Sequence, residues 1–218
     1  MEKYKIAYID DEKEELLDFQ EFIGSDFDTI ALQPKVDIYE MVEDLFQLNI
    51  RAVIVDHLLS VYKKKGEPNI PYDGVGLIEE ILLKRAHFPC FILTQKETEA
   101  IESSQDVNFV YSKRIVTADD EKEKTIFKEK IRTQIEHYLK RIEDSEKEIK
   151  KLINKSKTKK LNAKEEIHIL ELDHFIEQST NKKSALPIKL KDPVYLKKLD
   201  DLIKTTSETL SEIKKGKK

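Results

Sequence analysis

Five short apolar runs lie within the first 113 residues, and each stops abruptly at a polar residue. Residues 3–9 form a β-rich run that ends at Asp10, Asp11 and Glu12, and residues 27–32 form a weaker one. The run through Ala52, Val53, Ile54 and Val55 ends at Asp56, residues 88–93 end at Thr94, and residues 107–112 end at Lys113. In the run ending at Asp56, small and β-branched residues without polar alternation predict a strand buried on both faces. Between the runs the period changes. Leu16, Leu17, Phe19, Phe22 and Ile23 recur at helical spacing, as do Ile38, Met41, Val42, Leu45 and Phe46. A third helix is expected over residues 75–84, after a loop holding Gly66, Pro68, Pro71 and Gly74, and a short, weakly amphipathic one over residues 96–104.

Strands alternating with helices predict an α/β fold with a doubly wound, five-stranded parallel sheet covered on both faces. In such a sheet the C-terminal strand ends share one side, which is where ligands bind. Asp10, Asp11, Asp56, Thr94 and Lys113 are therefore expected to meet. Taken singly, each has a plain structural role: the two aspartates can cap the first helix, and Lys113 can be a surface charge. Together they repel. Two carboxylates 4 Å apart cost about 1 kcal/mol in bulk water and about 4 at an effective dielectric of 20. A hard divalent cation with oxygen ligands, Mg²⁺ above all, resolves that repulsion. Lys113 adds a point charge suited to a phosphoryl oxygen, and Thr94 adds a hydroxyl. A carboxylate nucleophile with a cation, a lysine and a threonine is what an aspartyl phosphate requires.

Five segments carry a resemblance. They are residues 8–12 (Tyr-Ile-Asp-Asp-Glu), 53–56 (Val-Ile-Val-Asp), 72–77 (Tyr-Asp-Gly-Val-Gly-Leu), 88–94 (Phe-Pro-Cys-Phe-Ile-Leu-Thr) and 110–113 (Val-Tyr-Ser-Lys). In this order they resemble the receiver domain of two-component response regulators, a flavodoxin-like fold, over residues 3 to 140. The resemblance implies phosphoryl transfer from a histidine kinase or phosphotransfer protein to Asp56. It also implies Mg²⁺ held by Asp11, Asp56 and the Leu58 carbonyl, with Asp10 beside them. The chain departs from the family pattern in several places. Leu59 and Ser60 stand where a Met-Pro pair is usual, and residues 61–68 form an insertion beside the site. Gln95 and Arg114 follow Thr94 and Lys113 in place of a small residue and a proline, and Val110 replaces the usual switch aromatic.

Beyond residue 118 the composition changes. Residues 1–118 carry 13 Lys and Arg against 23 Asp and Glu, and the remainder 26 against 20, so two modules are expected, 1–140 and 141–218. Ile131, Ile135, Tyr138, Ile142, Ser145, Ile149 and Leu152 keep an unbroken four-three spacing, the seam of a coiled coil or of a helix packed on another helix, with Ser145 a weak point or bend. A break follows at residues 155–160. Asn162 with Glu165 has capping-box character, and Ile167, Leu170, Phe175 and Ile176 give the next helix an apolar face. Residues 179–186 look turn-like, and Asp192 before Pro193 starts a last helix. His174 invites comparison with phosphohistidine modules, but its neighbours match no such motif.

These features predict a signalling protein rather than an enzyme, docking a downstream protein or forming a homodimer through its C-terminal helices. A phosphate-independent scaffold is the alternative. A phosphatase with an Asp nucleophile would want a second Asp where Leu58 stands, and a DNA-binding regulator would want a reading helix. The lysines of 147–164 have few aromatics among them, so nucleic acid is not an expected partner. His57, His87, His137 and His168 lack zinc-ligand spacing, and the single cysteine, Cys90, cannot form an internal disulfide. No apolar stretch of about 18 residues occurs, so no membrane is expected and a cytoplasmic location is.

Overall fold

The computed structural model describes residues 3–59, 69–95, 110–182, 185 and 191. Five strands, β1 (Lys5–Ile9), β2 (Asp28–Leu32), β3 (Ala52–Asp56), β4 (Cys90–Thr94) and β5 (Val110–Ser112), pair in parallel in the order β2-β1-β3-β4-β5. This is the expected doubly wound sheet. Helices α1 (Lys13–Ile23), α2 (Ile38–Gln47) and α3 (Gly74–Lys84) lie between the strands in sequence, followed by the short α4 (Arg114–Thr117), α5 (Glu121–Ser156) and α6 (Ala163–Asn181). The helix expected at 96–104, the insertion at 61–68 and the last helix from Asp192 fall outside the described residues, as do the first positions of the predicted fifth strand.

Side chains alternate across the sheet, one residue to each face in turn. Ala7 and Ile9, Val53 and Val55, and Cys90 and Ile92 point to one layer, where Met41, Val42 and Leu45 of α2 and Leu77, Ile78 and Ile81 of α3 complete the core. Ile6 and Tyr8, Ala52 and Ile54, and Phe91 and Leu93 point to the other, against Phe19, Phe22 and Ile23 of α1 and Phe127, Ile131 and Ile135 of α5. Each enclosed Ile, Leu or Phe contributes about 1.5–3 kcal/mol relative to exposure. Cys90 is wholly enclosed in β4, and burial raises its thiol pKa well above the ordinary value.

The caps explain where the helices begin. Asp37 accepts from the Tyr39 and Glu40 N–H groups at the start of α2, and Asp73 accepts from the Gly76 N–H at 2.8 Å at the start of α3. The chain leaves α1 through Gly24 at φ 57°, a left-handed position that costs glycine least, with its N–H returned to the Gln20 carbonyl.

Packing divides the chain into two compact units, Met1–Arg141 and Ile142–Lys218, and the division falls inside α5. In the four-three seam, Ile131 and Ile135 join the core layer formed by the sheet and α1, and Tyr138 packs edge-on against Phe88 at 5.7 Å, so this portion belongs to the core of the first unit. Within the second unit Ser145 and Leu152 are buried, and the helix runs through Ser145 without interruption. α6 opens on the expected capping box, with the Asn162 side chain accepting from the Glu165 N–H and the Glu165 carboxylate accepting from the Asn162 N–H, both at 3.1 Å. Ile167 is exposed rather than part of an apolar face. Residues 179–181 are helical, not turn-like, and Ser179 is buried. His174 is half-buried. No described helix is long and apolar enough to cross a membrane.

Candidate functional site

The C-terminal ends of β1, β3 and β5 bring the expected charges together. Lys113, immediately after β5, places Nζ 2.7 Å from Asp10 Oδ2 and 3.2 Å from Asp56 Oδ1. Asp10, Asp11 and Asp56 can each set an oxygen within 4.8 Å of the others. Thr94 is buried at the end of β4, and its carbonyl accepts from the Lys113 N–H at 2.8 Å, which fixes the lysine backbone to the neighbouring strand.

The backbone around Asp56 is equally constrained. The Leu58 N–H donates to Asp56 Oδ2 at 2.8 Å, so that Oδ1 faces Lys113. The Gly74 N–H donates to the carbonyl of the buried His57 at 2.8 Å and ties the start of α3 to the end of β3. A Cβ at position 74 would sit 2.2 Å from the Asp56 carbonyl oxygen, so no other residue fits there without moving the strand end. The late Gly74 thus holds Asp56 in place despite the insertion before it.

Asp10 caps no helix, since the N-cap of α1 is Glu12. Its Oδ1 accepts from the Glu12 N–H at 2.9 Å, while Oδ2 accepts from both Lys113 Nζ and the Tyr8 hydroxyl, the latter at 2.6 Å. Tyr8 is fully buried and stacks on Phe19 with ring centroids 4.0 Å apart. Burial and the Asp10 carboxylate raise its pKa, so it acts as a hydrogen-bond donor. A third carboxylate reaches the lysine: Glu15 of α1 has Oε2 3.4 Å from Lys113 Nζ.

Burial pushes the Asp56 carboxyl up to about 6; Lys113 and the Leu58 N–H oppose the shift, and Asp10 adds to it. For Lys113, burial alone would lower the ammonium pKa, but Asp56 and Asp10 more than offset it and hold the group above its ordinary value. The donor set suits a hard cation. Opposite oxygens around octahedral Mg²⁺ are about 4.2 Å apart, so three carboxylate oxygens within 4.8 Å of one another need only a small adjustment. Both Asp10 oxygens accept hydrogen bonds, and both Asp56 oxygens face donors, the Leu58 N–H and Lys113.

The charged strand-end residues expected to meet do lie together, and Tyr8 and Glu15, which join them, were not anticipated. Tyr8 had a legible signal: it stands two residues before Asp10, and residues two apart on a strand share a face. Glu15 had a weaker one, its place in the opening turn of the helix that follows the acidic pair.

No family model matches the chain, and no curated protein matches it. Among solved structures, the anti-anti-sigma factor PhyR from Bartonella quintana overlays at 13% identity and a TM-score of 0.44, over 64% of this chain and 50% of that one. The response regulator RcsB from Salmonella typhimurium overlays at 18% identity and a TM-score of 0.39 over 55% of this chain and 56% of that one. Another RcsB structure from the same organism gives 14% and 0.42 over 92% and 98%. In the first two cases this chain spans only about half the length of the matched protein. Strand order and register, rather than these overlays, carry the fold.

Proposed function

We propose that Asp56 accepts a phosphoryl group from a phosphohistidine on a histidine kinase or phosphotransfer protein, and that the change in charge governs docking or self-association of the helical module. The observation that carries this reading is Lys113 Nζ within 3.2 Å of both Asp10 and Asp56, in a cluster that also holds Asp11. An Asp56 carboxylate oxygen forms the new bond to phosphorus as the phosphorus–nitrogen bond of the donor imidazole breaks. The imidazole leaves with the electron pair and takes up a proton. The Leu58 N–H fixes Oδ2 and so orients the carboxylate, while Lys113 passes from the carboxylate to a phosphoryl oxygen. Thr94, at the neighbouring strand end, supplies the hydroxyl that registers the new charge. Mg²⁺, when held by Asp11, Asp56 and the Leu58 carbonyl with Asp10 beside them, supplies positive charge against the transferring group. The protein is then a phosphoacceptor in a signalling exchange rather than a turnover enzyme.

The test is incubation with Mg²⁺ and acetyl phosphate, followed by detection of an acid-stable, base-labile phosphate. Wild type should label, and Asp56→Ala should not. A wild type that stays unlabelled with this donor and with a kinase excludes the phosphoacceptor role. What would then stand is a phosphate-independent docking protein, a reading favoured by the three carboxylates already compensating Lys113.

A further inference from the structure

We infer that Glu15 is a specificity-determining residue of this site: its carboxylate competes with the incoming anionic group for Lys113 and favours the cation over the anion. The inference rests on the phosphoacceptor reading and adds to it a residue that opposes phosphoryl binding.

The geometry of the ammonium is the starting point. A lysine has three N–H donors, and at Lys113 three carboxylates lie around Nζ: Asp10 at 2.7 Å, Asp56 at 3.2 Å and Glu15 at 3.4 Å. An oxygen of a bound phosphoryl group gains a full hydrogen bond from this lysine only if one of them yields. Asp10 is poorly placed to do so, because the Tyr8 hydroxyl and the Glu12 N–H hold both of its oxygens and its side chain is 1% exposed. Asp56 is the acceptor itself, anchored by the Leu58 N–H. Glu15 makes the longest of the three contacts and has the most exposed side chain, at 23%. It can swing into solvent at little cost.

Two consequences of opposite sign follow. While it faces the site, the Glu15 carboxylate adds negative charge, which attracts a divalent cation. The same charge repels a phosphoryl group and occupies the donor that group needs. Replacing the acid by its amide should therefore improve one ligand and impair the other, which general loosening of the site cannot do.

The experiment uses the full chain, wild type and Glu15→Gln, with Asp56→Asn as control. Calorimetry gives the Kd for Mg²⁺ alone, and a titration at saturating Mg²⁺ gives the Kd for beryllium fluoride, which mimics the phosphoryl group on a carboxylate. Glu15→Gln is expected to bind beryllium fluoride about three- to tenfold more tightly and Mg²⁺ about two- to threefold more weakly, as befits a partly screened charge. Gln is nearly as good a helix former as Glu, and circular dichroism checks that α1 is intact. If wild type binds beryllium fluoride in an Asp56-dependent manner and Glu15→Gln matches it within about twofold, the role of Glu15 is overturned while the Asp56 reading stands. Changes in the same direction for both ligands also overturn it. Binding by Glu15→Gln where wild type shows none supports it most strongly, and absence of binding by both proteins overturns the inference and the phosphoacceptor reading together.

Discussion

The charged side chains at the end of the sheet and those along α5 beyond residue 141 are the same residue types in different surroundings. Lys113 is 6% exposed and lies among three carboxylates, one just past the end of β1, one in β3 and one in α1. Lys147, Lys150 and Lys151 are 64–74% exposed, and each faces a glutamate three or four positions earlier on its own helix. Water screens the second group and offers every partner a substitute, so those pairs add little. Asp10 and Lys113 have no such substitute, and their contacts with each other and with Asp56 constrain one another. Charge content alone thus says little about function; burial determines which charges depend on one another.

If that contrast holds, substitutions should fall on a steep scale. The largest effect is expected for Gly74→Ala, which drives a methyl group against the Asp56 carbonyl and should destabilise the chain by about 3 kcal/mol, seen as a lowered denaturation midpoint with loss of acetyl-phosphate labelling. Next is the pH dependence of Asp56. Its carboxyl rises from 3.8 to about 6 on folding, so its protonated form favours the folded state, fully below pH 4, and that stabilisation is lost as pH rises through about 6. Melts in a chelating buffer should therefore show the metal-free wild type losing about 1–3 kcal/mol between pH 4 and pH 7.5 from this group. Asp56→Asn should lose less over that interval and be the more stable protein at pH 7.5. A flat wild-type profile would mean that Lys113 compensates Asp56 fully.

In the helical unit, Asn162→Ala removes one half of the capping box and should cost about 1 kcal/mol, measured by urea denaturation. The smallest effect is reserved for Lys150→Gln, which should leave the melting midpoint unchanged within error. A drop comparable to that of Asn162→Ala would show that the exposed pairs of α5 act as a network, as interdependent as the charges at the end of the sheet.

Much of the sheet was legible because burial on both faces leaves a simple signature: the residues from Ala52 to Asp56 are all buried, and that run stands out. The meeting of Asp10, Asp56 and Lys113 followed from topology alone, since parallel strands place their ends together. Glu15 was not legible in the same way. Its contact with Lys113 depends on how α1 lies against the sheet, where Phe19 stacks on Tyr8, rather than on any local pattern. The seam from Ile131 onward was read as a buried face with its neighbour left open, and its first turns close on the sheet and α1, because spacing specifies a buried face without naming what buries it. Ser145 was read as a weak point and Ser179 as the start of a turn for a related reason: a small hydroxyl residue suits a turn and a buried helical position alike.

Cys90 gives the sheet a built-in clock. Its thiol is the only one in the chain, lies wholly within β4 and is held protonated by its surroundings, so a thiol reagent meets it only when the strand separates from its neighbours. The rate of modification then counts openings of the central sheet, and its change on adding Mg²⁺ or a phosphoryl mimic reports how far events at the strand ends stiffen the middle of the fold.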